Sequence, residues 1–165
     1  MRRTPLIAAL ALAAGLGGAT TASAEERTCR GTIGASTVDN LRVPQGATCV
    51  LNGTRVQGTV KVERGATLRA NGIRVIGNVQ AENHRHVTLN GGSTVGGSVQ
   101  LKQGGTATID RNRVTGDIQL FTNRGTQSVT GNRVNGNLQC KENVPAPTGG
   151  GNIVQGNKED QCARL

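Results

Sequence analysis

A seven-residue phrase recurs along this chain about every 19 residues, and it constrains the fold more than any other feature. It reads Val56-Gln57-Gly58-Thr59-Val60-Lys61-Val62, then Val75-Ile76-Gly77-Asn78-Val79-Gln80-Ala81, then Val95-Gly96-Gly97-Ser98-Val99-Gln100-Leu101. Val114-Thr115-Gly116-Asp117-Ile118-Gln119-Leu120 and Val134-Asn135-Gly136-Asn137-Leu138-Gln139-Cys140 follow, with a truncated copy at Val154-Gln155-Gly156-Asn157 and a degenerate first copy at Val38-Asp39-Asn40-Leu41-Arg42-Val43. The leading valines are spaced by 18, 19, 20, 19, 20 and 20 residues. A period of this kind marks a solenoid, in which each repeat buries its apolar face only by stacking on the next.

Within each repeat the period is two. Val79-Gln80-Ala81 and Ile118-Gln119-Leu120 alternate apolar and polar residues, as a strand with one buried face does. A second apolar pair recurs later in the repeat, at Ala66 and Leu68, Val87 and Leu89, and Ala107 and Ile109. Asn, Gly, Thr and Arg lie between, as turn residues, and no window has a helical period. Apolar positions step by about six, as in Val56, Val62, Leu68. The reading is an all-β, single-stranded parallel β-helix: a triangular solenoid of about six coils of 18–20 residues.

That architecture accounts for the composition. The chain holds 25 Gly, one Phe, no Trp and no Tyr in 165 residues, and 35% of it is hydrophobic. A core built on large rings is excluded. Coils stacked about 4.8 Å apart need only small aliphatic residues inside. Gly58, Gly77, Gly97, Gly116, Gly136 and Gly156 would form a corner column, where glycine supplies positive φ or close backbone approach. Asn78, Ser98, Asp117, Asn137 and Asn157 would form a polar column. Gln80, Gln100, Gln119 and Gln139 would form another, with stacked amides bonding along the axis.

The N-terminus reads as an export signal. Met1-Arg2-Arg3 is a positive head, Leu6 to Gly18 an apolar run too short for an anchor, and Ala22-Ser23-Ala24 a cleavage site. The chain divides into a signal peptide at 1–24, an N-terminal cap segment at 25–37, and the β-helix with its C-terminal cap at 38–165. Cleavage removes two arginines and lowers the formal charge from +9 to +7. The mature protein is expected to be secreted or associated with the cell wall.

Four cysteines in an exported chain read as two disulfides. Cys29 and Cys49 are 20 residues apart, and Cys140 and Cys162 are 22 apart, each about one coil. Pairing across the two sets would span about five rungs, roughly 25 Å, beyond the reach of a disulfide. The expected bonds are therefore Cys29–Cys49 and Cys140–Cys162, one capping each end.

The repeat Val-x-Gly-Asn-Val-x-Ala resembles that of bactofilins over residues 38–157, which implies a right-handed triangular β-helix. Bactofilins polymerise in the cytoplasm; the signal peptide and cysteines here depart from that pattern. The C-terminal stretch is similar to that of small exported proteins of actinobacteria. Its residues are Gly136-Asn137-Leu138-Gln139-Cys140-Lys141-Glu142-Asn143, then Pro145-Ala146-Pro147-Thr148-Gly149-Gly150-Gly151-Asn152, then Gly156 to Cys162. The resemblance implies a compartment and a fold, and no activity.

Four arginines, Arg55, Arg74, Arg113 and Arg133, each precede a leading Val. Stacked coils would bring them to one side, with Thr94 in the gap, and Arg42, Lys61 and Arg85 would widen the patch. Together with the positive charge they point to an anionic envelope polymer. No aromatic residue interleaves them, so specific single-strand nucleic-acid recognition is not expected. Glu82, His84 and His86 alternate, so on a strand all three would face one way and could hold a metal; the segment also lies where a coil carries extra residues, which reads as a solvated loop. Thr48, Thr67, Thr88, Thr108, Ser128 and Thr148 share roughly one phase, but only Thr106-x-Thr108 and Thr126-x-Ser128 approach the paired rows of an ice-binding face.

Catalytic signals are absent. The acids are scattered, with Asp110 and Asp117 in different parts of the coil, and there is no nucleophile elbow. No cofactor is implied. The expected function is a non-enzymatic structural or adhesive protein of the envelope that holds an anionic polymer on a basic face. The alternatives are a polysaccharide-acting enzyme and a filament built end to end.

Overall fold

The computed structural model describes residues 25–165; the leader assigned to 1–24 lies outside them. The described residues form strands and turns with no helix. Every third strand pairs in parallel with the one three before it, giving three sheets of eight, seven and seven strands. One turn of the solenoid runs through Val99–Lys102 in the first sheet, Thr106–Asp110 in the second and Arg113–Val114 in the third. The molecule is a three-sided β-solenoid of about seven turns. The turn beyond the expected six comes from residues 25–37, read from the sequence as a cap segment. Glu26–Thr28 and Gly31–Ile33 join the first and second sheets, and Thr37 opens a strand of the third.

The core is a bundle of columns. Leu41, Val60, Val79, Val99, Ile118 and Leu138 stack in register in the first sheet. The leading valines from Val38 to Val154 stack in the third. Small aliphatics suffice because each inward residue packs on its counterpart one rung away. One column turns polar: Ala107 is followed by Gln127, which is fully buried and donates from Nε2 to the carbonyls of Gly105 and Gly125.

The glycine corner uses only one of the two properties expected of it. None of Gly58, Gly77, Gly97, Gly116, Gly136 and Gly156 has a positive φ. They are there for close approach. The amide of each one from Gly77 to Gly156 donates to the carbonyl of the glycine one rung before, at 2.9–3.1 Å. A Cβ at Gly97 would collide with Asn78 Oδ1, and one at Gly136 with Asp117 Oδ1. The polar column therefore explains the glycine column. Its bonds run from side chain to backbone: Asn78 Oδ1 accepts from the Ser98 amide (2.8 Å), Ser98 Oγ from Asp117 (3.0 Å), and Asp117 Oδ1 from Asn137 (2.7 Å). Any residue with a short acceptor fits, which is why Asn, Ser, Thr and Asp interchange there.

The glutamine column bonds amide to amide. Gln80 Nε2 donates to Gln100 Oε1 (3.1 Å), Gln100 to Gln119 (3.0 Å), and Gln119 to Gln139 (2.9 Å); Gln139 donates to Glu159 Oε2 (2.8 Å). All four amides donate toward the C-terminal end, where a carboxylate receives the last N–H. Lys61 stands in register at the carbonyl end. Both termini of the ladder thus carry the charge that its aligned dipoles favour, the arrangement known for helix ends.

Two further ladders are buried. Asn112, Asn132 and Asn152 line the corner between the second and third sheets. There Asn132 Nδ2 donates to the Ile109 carbonyl (2.8 Å) and Oδ1 accepts from the Asn112 amide (2.9 Å). Asn123 and Asn143 line the corner between the first and second, donating to the carbonyls of Leu101 (3.0 Å) and Leu120 (2.7 Å). Asn123, Asn132, Asn143 and Asn152 each satisfy a corner amide and a carbonyl one rung away that would otherwise be buried without partners, whereas Asn112 only donates. The disulfides Cys29–Cys49 and Cys140–Cys162 close the ends, with Cα–Cα separations of 5.5 and 5.2 Å.

Candidate polyanion-binding face

The third sheet is made of two-residue strands, and its outer positions carry the arginines. Arg55 pairs in register with Arg74, Arg74 with Thr94, Thr94 with Arg113, and Arg113 with Arg133. In each strand the valine points inward, so the residue before it must point out. All four arginines are exposed. Among the described residues, none of them joins an ion pair; the pairs formed are Arg42 with Glu26 and Glu63, and Arg111 with Asp110.

The column is divided in two. The middle turn carries Thr94 and, two residues on, Gly96, where a Cβ would strike the Ile76 carbonyl. This low saddle leaves one arginine pair on each side, with Arg74 and Arg113 two rungs or roughly 10 Å apart. On the C-terminal side a shallow groove of about 320 Å³ runs over Arg113, Thr115, Arg133, Asn135 and Gln155. Ile76 and Ile153 stand exposed at 45% and 54% near the two pairs. Each pair therefore offers exposed guanidinium donors beside an apolar contact.

Arg42, Lys61 and Arg85 do not widen this face. Arg42 and Lys61 lie in register in the first sheet, where Arg42 Nε sits 2.9 Å from Glu26 and Nη1 3.3 Å from Glu63. Arg85 lies at the corner that leads into the second sheet. The patch is not widened because one coil has three sides, and these residues lie off the third.

The structure separates Glu82, His84 and His86. Glu82 ends a first-sheet strand and is exposed. Asn83 has φ +52°, and this left-handed residue turns the next side chain inward, so His84 is 2% exposed. His86 begins a second-sheet strand facing out, its Nδ1 2.6 Å from Thr106 Oγ1 and its Nε2 2.7 Å from Thr88 Oγ1. Among the described residues, no group of three His, Cys, Asp or Glu side chains converges on a metal position. The segment is no solvated loop either. His84 takes the corner place that Asn123 and Asn143 hold in later turns, and neither of its ring nitrogens has a hydrogen-bond partner. Burial, with the neighbouring His86 adding to it, lowers its pKa from 6.5 to about 4. Nothing in the sequence marked His84 as internal except its offset of three from Ala81, matched by Asn123 from Leu120 and Asn143 from Cys140.

The threonines also sort differently. Thr48, Thr67, His86 and Thr106 share one outer column of the second sheet; Thr88, Thr108, Ser128 and Thr148 share the next, with Val50 and Arg69. The paired rows remain Thr106-x-Thr108 and its neighbour. A functional-looking group that the sequence reading missed lies on the first sheet: Lys102, Phe121 and Lys141 stack in register beside the glutamine ladder. Comparison with known protein families, curated proteins and solved structures finds no match to this chain.

Proposed function

We propose that the mature chain is an exported, non-enzymatic structural or adhesive protein of the cell envelope that holds an anionic polymer along the third sheet. The observation that carries this reading is the in-register stacking of Arg55 on Arg74 and of Arg113 on Arg133, all exposed and without a carboxylate partner among the described residues. Like charges one rung apart repel. A phosphate seated between two guanidinium groups reverses the sign of that interaction, and arginine's planar donors match its oxygens. The two disulfides and the absence of a membrane-length helix among the described residues fit an oxidising, extracellular setting. No aromatic residue lines this sheet, so the contact is electrostatic and indifferent to bases.

The test is titration calorimetry with poly(glycerol phosphate) over a range of salt. Binding should weaken with a log–log slope of about −1.5 for two phosphates, one held by each arginine pair. The quadruple Arg55, Arg74, Arg113 and Arg133→Ala variant should lose both the binding and the slope. Salt-insensitive binding, or binding that survives the quadruple change, overturns the proposal.

A further inference from the structure

The outer face of the first sheet carries a second surface, built from different chemistry. Gln100, Gln119 and Gln139 lie one rung apart, each using one N–H and one oxygen lone pair in the ladder. Each amide has a second N–H and a second lone pair left over, and all three side chains are half-exposed. The result is a row of paired donors and acceptors repeating about every 4.8 Å along the axis. That repeat is close to the rise of one pyranose unit in an extended β-linked glycan. Two residues further along each strand, about 7 Å away, runs a parallel row: Lys102, Phe121 and Lys141 in register. Phe121 is the chain's single aromatic residue, and it is half-exposed on this face with Lys102 Nζ 5.8 Å from the ring centroid. A half-exposed aromatic residue between two lysines, with Lys102 lying over its ring, offers a sugar ring an apolar surface to pack on and its acidic substituents a cation on either side. At the N-terminal end the face runs up to a shallow groove of about 510 Å³ whose lining includes Gln80, Gln100 and Lys102 but also Glu63 and Glu82.

We propose that this face binds an extended, β-linked acidic glycan laid parallel to the solenoid axis. The glutamine row meets the ring hydroxyls, Phe121 takes one pyranose face, and Lys102 and Lys141 take the carboxylates. Glu82, in register before Lys102, repels an acidic chain and sets the N-terminal limit of the site. This surface is on a different side of the molecule from the arginine column and does not depend on it.

The experiment is a binding measurement of the mature protein against β-linked hexasaccharides, one set neutral and one carrying uronic acids. The uronate hexasaccharide should bind, and the neutral one at least tenfold more weakly. Phe121→Leu and Lys102→Ala, both at outward-facing positions, should each weaken uronate binding at least tenfold, and Gln100→Leu with Gln119→Leu should remove it. The quadruple arginine variant should bind the uronate within twofold of the parent. No binding by any hexasaccharide overturns the proposal, as does binding unchanged by Phe121→Leu and Lys102→Ala, or binding lost in the arginine variant alone; the last result would instead assign acidic glycans to the third sheet.

Discussion

At the residue scale, His84 is the position where chemistry and fold are most tightly coupled. Its ring fills a corner that an asparagine fills in two later turns, but it makes none of the asparagine's bonds. A buried imidazole without partners stays neutral, and its pKa falls from 6.5 to about 4. The unfolded chain therefore binds a proton at a higher pH than the folded one, so stability is whole above pH 6.5 and falls as the pH drops toward 4. The loss amounts to about 3 kcal/mol at most. His86, whose pKa burial and Arg69 also lower, adds to it in the same direction. His86 is the neighbouring charge that resists protonation of His84, as Arg69 does for His86. His84→Asn, whose Nδ2 can reach the Val62 carbonyl as Asn123 reaches that of Leu101, should flatten most of the decline. Urea denaturation of both proteins at pH 7.5 and pH 4.5 reads this out; an equal acid loss in the two would show that His84 is not its source.

At the element scale, the corner between the third and first sheets is one interlocked device of glycines and acceptors. The amide ladder from Gly58 to Gly156 holds the turns at hydrogen-bond distance, and the side-chain oxygens of Asn78, Ser98 and Asp117 occupy the space a Cβ would need. Alanine at Gly97 would meet both Asn78 Oδ1 and the Gly77 carbonyl, so a backbone ladder has to open to admit it. The expected cost is about 2–3 kcal/mol. At Gly92, where a Cβ meets nothing but φ is +72°, alanine should cost less, about 1 kcal/mol. Thermal or chemical denaturation of the two variants ranks close approach against backbone conformation, and the reverse order would show that the corner is set by φ after all.

At the scale of the whole molecule, a solenoid is nearly one-dimensional, since each turn touches only its neighbours. The disulfides stand where a turn has one neighbour instead of two. Each closes a loop of about 20 residues, worth about 3 kcal/mol in chain entropy. Replacing Cys140 and Cys162 by Ser should therefore fray the molecule from one end. Amide-exchange protection should fall across 138–162 and hold near 40–62. A uniform loss along the chain would mean that the turns unfold as one cooperative unit and that the bond is no local cap. The same geometry favours long, regular ligand surfaces, because one outward residue repeated at each turn makes a straight row without further design.

Much of this was legible in the sequence because a stacked coil repeats the same environment at each rung. The period, the aliphatic columns, the two disulfide pairings and the arginine row all follow from counting residues, since a side chain and its partner one rung away are about 20 residues apart whatever the corner does. What the tertiary structure alone decided was the corners and the faces. A single left-handed residue at Asn83 sends His84 into the core and His86 out, and no local pattern announces that turn. The division of outward residues among three sides separates Arg42 and Lys61 from the arginine column. The physical reason is that a side chain's direction depends on where the chain bends, and the bend is stabilised by hydrogen bonds to the turns above and below, not by the residues that make it.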